Sequence, residues 1–192
     1  MITIRRLEAN EVSRLSEFDR TERITRLYAI EDGQLTSKPA EIDVPPWDDA
    51  HIHHLVEMTQ SEMDQGAWAW GAFEREQIGG LACVGGRLIG QDGDLVQLVL
   101  MHVSKDFRRQ GVASRLFDLA VQRARDLGAW GLYISATPSN SALGFYVSRG
   151  AGLASEVIAE LYEKEPEDIH LILPLDQYVG HTQSTDNREQ NR

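Results

Sequence analysis

Met101-His102-Val103-Ser104-Lys105-Asp106-Phe107-Arg108-Arg109-Gln110-Gly111-Val112-Ala113 is the stretch whose reading decides the fold. An apolar strand passes through a short basic turn directly into a helix, and that arrangement makes an anion site. The first amides of a helix have no intrahelical acceptor and sit at the positive end of its dipole, so a pyrophosphate can receive several of them together. Gly111 lets the backbone approach a ligand closely, Val112, Ala113 and Ser114 leave room at the helix start, and Arg108 and Arg109 add positive charge beside Gln110. Residues 108–114 are therefore the candidate anion-binding segment.

The flanks supply the context that a loose Arg-x-x-Gly-x-Ala pattern lacks on its own. Upstream, Leu95 to Val103 is apolar on both alternating faces except at Gln97 and His102, as a central strand covered on both sides should be. Downstream, Gly111 to Leu127 turns Val112, Leu116, Ala120 and Ala124 inward and Arg115, Asp118, Gln122 and Arg125 outward, and Gly128 closes it.

Further out, Ile2 to Leu7 alternates as a half-buried strand, and Glu8 to Phe18 carries Val12, Leu15 and Phe18 at roughly helical spacing. Arg26–Ile30 and Gln34–Val44 flank the Asp32-Gly33 turn pair and predict a hairpin that Pro45-Pro46 ends. Asp48 or Asp49 caps a helix reaching about Gln65. Ala67–Phe73 and Ile78–Ile89 predict a second hairpin, Trp130–Thr137 a strand, Ser139–Arg149 a short helix closed by Gly150, and His170–Leu175 a last strand. The order is mixed α/β. One domain over residues 1–175 is expected, with the polar 176–192 segment as a disordered tail.

Composition excludes several classes. The net charge of −11 disfavours nucleic acid, which wants clustered Lys and Arg, and would suit a cationic partner. No apolar run approaches membrane-spanning length, and Cys83, the only cysteine, can form no intramolecular disulfide, so a cytoplasmic protein with no membrane partner is expected. His51, His53 and His54 do not gather on one helix face, so no metal site is expected. No Gly-x-x-x-x-Gly-Lys-Ser/Thr loop or Gly-x-Gly-x-x-Gly turn points to another nucleotide-binding fold.

Val103 to Ala113 resembles the Val-x-x-x-x-Arg-x-x-Gly-x-Gly/Ala signature of the GNAT superfamily of acetyl-CoA-dependent N-acetyltransferases. Asn140-Ser141-Ala142-Leu143-Gly144-Phe145-Tyr146 with Gly150 is similar to the family's second motif, in the right order. The resemblance implies a central, mostly antiparallel mixed sheet with splayed middle strands and flanking helices. It also implies acetyl-CoA as cofactor, with the pantetheine arm pairing to Met101 and Val103, and acetyl transfer to an amine on a small molecule or peptide. A homodimer would be in keeping with such proteins.

Such chemistry needs a base for the ammonium, a donor for the oxyanion and an acid for the thiolate. The resemblance makes Tyr146 the acid; the competing reading is a core aromatic. Phe145 reads mainly as packing, and Asn140 as a pantetheine or acyl-amide contact or as a helix cap. The base is open. Relatives carry Glu or His on the central strand where this chain has Gln97 and Val99, so Glu57, Glu62, Asp64, Glu74 or ordered water remain as sources. His102 faces away from Met101 and Val103 and reads as structural. Trp68 and Trp70 share a strand face, as core or as an acceptor-pocket wall, and Glu163, Glu165, Glu167 and Asp168 read as a solvated charge run or as steering for a cationic acceptor. The missing strand base leaves a non-catalytic acyl-CoA-binding module as the alternative to an enzyme.

Overall fold

The computed structural model describes residues 1–180. Its elements are β1 (Ile2–Arg6), a 3-10 segment (Ala9–Glu17), β2 (Glu22–Glu31), β3 (Gln34–Val44), α1 (Asp49–Asp64), β4 (Trp68–Glu74), β5 (Gln77–Val84) and β6 (Leu95–Val103). A 3-10 turn (Lys105–Phe107) then leads to α2 (Val112–Asp126), β7 (Gly131–Ala136), α3 (Ala142–Ser148), β8 (Gly152–Leu153), α4 (Ala159–Lys164) and β9 (Ile169–Pro174).

Seven strands form one sheet in the order β1-β4-β5-β6-β7-β9-β8, and every pair is antiparallel except β6 with β7. The expected mixed, mostly antiparallel sheet with flanking helices is what the chain adopts. On one face α2 buries Leu116, Phe117, Ala120 and Val121 against Val96, Leu98, Leu132 and Ile134. Each such large apolar side chain contributes roughly 1.5–3 kcal/mol on burial. On the other face the first 3-10 segment and α1 cover Phe73, Ile78, Leu81 and Cys83. α4 closes the far end of that face by setting Leu161 with Leu95 and Tyr133.

Residues 9–17 adopt 3-10 geometry rather than an α-helix, and the reason is in the pattern. Val12, Leu15 and Phe18 recur every three residues, which keeps one stripe buried in a three-residue turn. β5 stops at Val84, five residues before the expected Ile89, because the Gly86 backbone lies against Gly66; a Cβ there would stand 2.3 Å from the Gly66 carbonyl carbon. β8 and α4 escaped the sequence reading because two and six residues are too short to display a period.

The ordered chain also runs past residue 175. Tyr178 is buried, its hydroxyl donates to Asp118 Oδ1 at 2.6 Å, and Arg125 donates to the Leu175 and Tyr178 carbonyls, so this segment packs on α2. Of the tail expected to be disordered, residues 181–192 lie outside the described residues.

Two irregularities shape the middle of the sheet. Cys83 pairs with Leu100 and Val84 with Leu98, which makes Val99 an extra residue in β6. Val96 and Leu98 therefore share the α2 face with Met101 and Val103, while Val99 and Leu100 pack toward the α1 face. The second is the seat of the Lys105–Phe107 turn. Phe107 lies flat on Gly79, where a Cβ would meet its ring at 2.0 Å. Gly79→Ala must displace this ring, and we expect urea unfolding to show a loss of about 1–3 kcal/mol at an unchanged m value.

Candidate functional site

β6 and β7 are hydrogen-bonded only from Leu95↔Gly131 to Leu98↔Ile134. Beyond that point β6 stays with β5 up to Gly80↔Val103, and β7 stays with β9 up to Ala136↔Ile169, so the two parallel strands part company. The wedge between them opens into a cavity of about 430 Å³. Met101 and Val103 line one wall, Ser135, Ala136 and Thr137 the other, with Ala113, Phe145 and Tyr146 around it. Splayed middle strands are thus present where Met101 and Val103 were expected to offer backbone groups to a ligand.

The loop from β6 to α2 frames one end. Arg109 has φ 60° and Gly111 has φ 77°, so the chain turns twice through the left-handed region before α2 starts. Nothing lies within 4 Å of where a Gly111 Cβ would be. The glycine is needed for its positive φ and leaves open space over the first amides of α2, those of Val112, Ala113 and Ser114, which helix geometry leaves without an intrahelical acceptor.

The side chains of this segment serve mostly to hold it. Arg108 Nε donates to the Val103 carbonyl at 2.9 Å, and its two terminal nitrogens donate to the Thr21 and Arg20 carbonyls, each at 3.1 Å. Arg108 is a brace between the β6 exit and residues 20–22, not a free cation. Gln110 Nε2 donates to the Asp106 carbonyl at 2.7 Å, Ser114 Oγ accepts from Arg149, and Arg109 is exposed. The backbone remains as the anion-binding element, which suits a pyrophosphate.

At the inner end, Phe145 meets Phe117 and Tyr146 edge to face, with centroids 5.5 and 5.4 Å away. Tyr146 is 7% exposed and lines the cavity, and among the described residues no hydrogen bond reaches its hydroxyl. Burial, and secondarily the charge of Asp168, push the phenol well above its usual range, so it holds its proton. Asn140 lies outside the cavity wall. Its Oδ1 accepts from the Thr25 amide at 3.1 Å, and the Ala142 amide is held instead by Ser139 Oγ, so Asn140 ties β2 to the α3 entry and does not cap the helix.

The opposite side of the cavity carries residues that sequence reasoning missed. Trp47 stacks near His102 at 4.5 Å and His51 at 6.3 Å, and all three line the cavity. His102 Nε2 is buried with no hydrogen-bond partner among the described residues, and burial, then Arg108 and Arg20, push its pKa down to about 3, so it stays neutral. Glu22 accepts from Ser141 Oγ at 2.8 Å and lies 3.8 Å from Arg108. Glu165 and Asp168 also line the cavity, although their glutamate-rich segment reads in sequence as a solvated run. None of Glu57, Glu62, Asp64, Glu74 or Gln97 lines it, while Val99 does. Trp68 and Trp70 pack toward α2, where the Arg123 guanidinium lies 4.2 Å from the Trp68 ring centroid. Among the described residues no group of three or more His, Cys, Asp or Glu side chains is placed to hold a metal ion, and no helix is long and apolar enough to cross a membrane.

The profile of the "Acetyltransferase (GNAT) family" matches residues 27–153. No curated protein matches the sequence. Among solved structures, the chain is similar to nourseothricin acetyltransferase, with TM-score 0.66 and 16% identity over 91% of this chain and 98% of that one. It is also similar to the PaiA N-acetyltransferase of Thermoplasma acidophilum in complex with coenzyme A, with TM-score 0.58 and 12% identity over 91% and 99% of the two chains. A third is the ribosomal-protein-S18-alanine N-acetyltransferase of Escherichia coli, with TM-score 0.58 and 17% identity over 94% and 97%.

Because Arg108 satisfies three carbonyls from a partly buried position, Arg108→Ala should cost about 2–3 kcal/mol in chemical unfolding. Amide exchange at residues 20–22 should speed up. Arg108→Lys should recover less than half of the loss, since one ammonium cannot reproduce the planar fork.

Proposed function

The chain belongs to the GNAT family of acetyltransferases, enzymes that use acetyl-CoA, and from that premise we propose that it transfers the acetyl group to a primary amine of a small molecule or peptide by direct attack on the thioester. The observation that carries this reading is the unpartnered Tyr146 hydroxyl facing a cavity whose outer end is the amide-lined start of α2. The residues fit the cofactor: open space over Gly111 admits a pyrophosphate, and the wedge between β6 and β7 leaves the backbone of Met101 and Val103 facing an extended amide-bearing arm. Arg109 adds charge at the rim, and Ala113 keeps the wall low where a larger side chain would project.

Acetyl-CoA supplies an activated acetyl thioester. Toward it the chain's own groups divide the work. The α2 amides and Gly111 anchor the phosphates. Met101 and Val103 orient the arm, and Phe145 packs along it and fixes the plane of Tyr146. The Tyr146 hydroxyl holds a proton at all ordinary pH and would donate it to the departing thiolate. Cys83, buried and pushed up to about 12 by burial, stays a neutral thiol and takes no part; an unpaired cysteine suits the reducing cytoplasm in which we place the enzyme.

Calorimetric titration with acetyl-CoA should give binding by the wild type and none by Gly111→Glu, whose carboxylate would occupy and repel the phosphate site. Tyr146→Phe should bind acetyl-CoA normally while kcat toward an accepted amine falls roughly 10²–10⁴-fold. A folded wild type that fails to bind acetyl-CoA would sink the proposal. Binding without turnover by any amine would make the chain an acyl-CoA-binding module.

A further inference from the structure

Three carboxylates line the cavity, and they are not equivalent. Glu22 is committed to the Ser141 hydroxyl and to Arg108. Among the described residues neither Glu165 nor Asp168 is ion-paired. The Asp168 amide donates to the Glu165 carbonyl at 3.1 Å, and this turn sets both residues at the entry to β9. Ile169, the next residue, pairs with Ala136, which forms the β7 wall of the wedge, so Asp168 stands at the end of that wall. The other independent mark of a ligand here is Tyr146, more than nine-tenths buried, its hydroxyl unpartnered and facing the same cavity.

On the acetyl-transfer reading above, we propose that Asp168, held against Glu165, is the base that takes the proton of a cationic aliphatic amine, and that this carboxyl pair selects such acceptors over neutral ones. The proton count closes. The ammonium gives one proton to the Asp168 carboxylate, and the freed nitrogen forms the C–N bond as the C–S bond breaks. The departing sulfur takes the Tyr146 hydroxyl proton, and the second nitrogen proton returns to the Tyr146 oxygen. Asp168 then releases its proton to solvent.

Electrostatics agree with that role. Burial, then the charge of Glu165, a hydrogen bond with Glu165 and the charge of Glu167, push Asp168 up to about 7. Two carboxyls this close cannot both ionise cheaply, so a cation entering between them relieves the repulsion. The charge of Asp168 reaches Tyr146, and that of Glu165 reaches His170. Across the cavity stand Arg20, Glu22, Arg108, His51 and His102; the two arginines are engaged with Trp47 or with carbonyls, and His102 is too acidic a ring to accept an ammonium proton. Rate should therefore rise with pH through about 7 as the Asp168 carboxylate forms.

The test compares wild type, Asp168→Asn, Glu165→Gln and, as a control outside the cavity, Glu163→Gln, using a panel of aliphatic diamines and methoxyamine, whose nitrogen is unprotonated at neutral pH. Asp168→Asn should bind acetyl-CoA like wild type, lose the rise near pH 7, and lose roughly 10²-fold or more in kcat/KM toward the diamines but less than threefold toward methoxyamine. Glu165→Gln should shift the rise to lower pH, and Glu163→Gln should match wild type. Equal losses toward both amine classes, an unchanged pH profile, or a wild type that binds acetyl-CoA yet acetylates no diamine would overturn the proposal. Failure of the wild type to bind acetyl-CoA would instead fall on the parent reading.

Discussion

Parallel strands that stop pairing in the middle of a sheet leave a row of amide and carbonyl groups that need partners. In this chain that constraint lies between β6 and β7 after Leu98 and Ile134, and the surrounding structure is arranged so that the wedge stays open. Each strand is held by its outer neighbour: β6 remains on β5 and β7 on β9. The edges that face the wedge are left unpaired, and a ligand with its own amides can take the vacant positions at little cost in reorganisation.

Charge is divided along the wedge in a way that total composition conceals. A chain of net charge −11 must bind a polyanion at one end. On the proposed reading it does so with little free positive charge, since Arg108 is engaged with carbonyls and the amides at the start of α2 are left to meet the phosphates. Two of the lining carboxylates, Glu165 and Asp168, stand at the end of the β7 wall, while the third, Glu22, lies 3.8 Å from Arg108 across the cavity. The small hairpin of β2 and β3 is tied to the entry of α3: the Tyr28 amide donates to the Pro138 carbonyl, the Thr25 amide to Asn140 Oδ1, and the Ser141 hydroxyl to Glu22, which fixes this lip of the cavity.

Much of this was legible in residue order. Asp48 caps α1 through the His51 amide, Gly111 and Gly128 bound α2, and Leu95 to Val103 forms the central strand, because caps, left-handed glycines and apolar runs act locally. The positions of Tyr146 and Phe145 followed from a motif. Long-range placements escaped. Arg108 reads as a phosphate ligand until the carbonyls of residues 20–22, far away in sequence, are brought beside it. Asn140 is drawn to Thr25 for the same reason. Glu165 and Asp168 look like any acidic surface until α4, too short to announce itself, folds them over the cavity.

The extra residue at Val99 has a consequence for how such a protein can diverge. On a regular strand the identity of one position constrains its alternate neighbours, since they share a surface. Here the register breaks between Leu98 and Leu100, so Gln97 is uncoupled from Met101 and Val103. Leu98 stays beside Met101 and Val103 on the wall of the wedge while Gln97 turns to the opposite face, so position 97 can vary without altering the side chains that line the cavity.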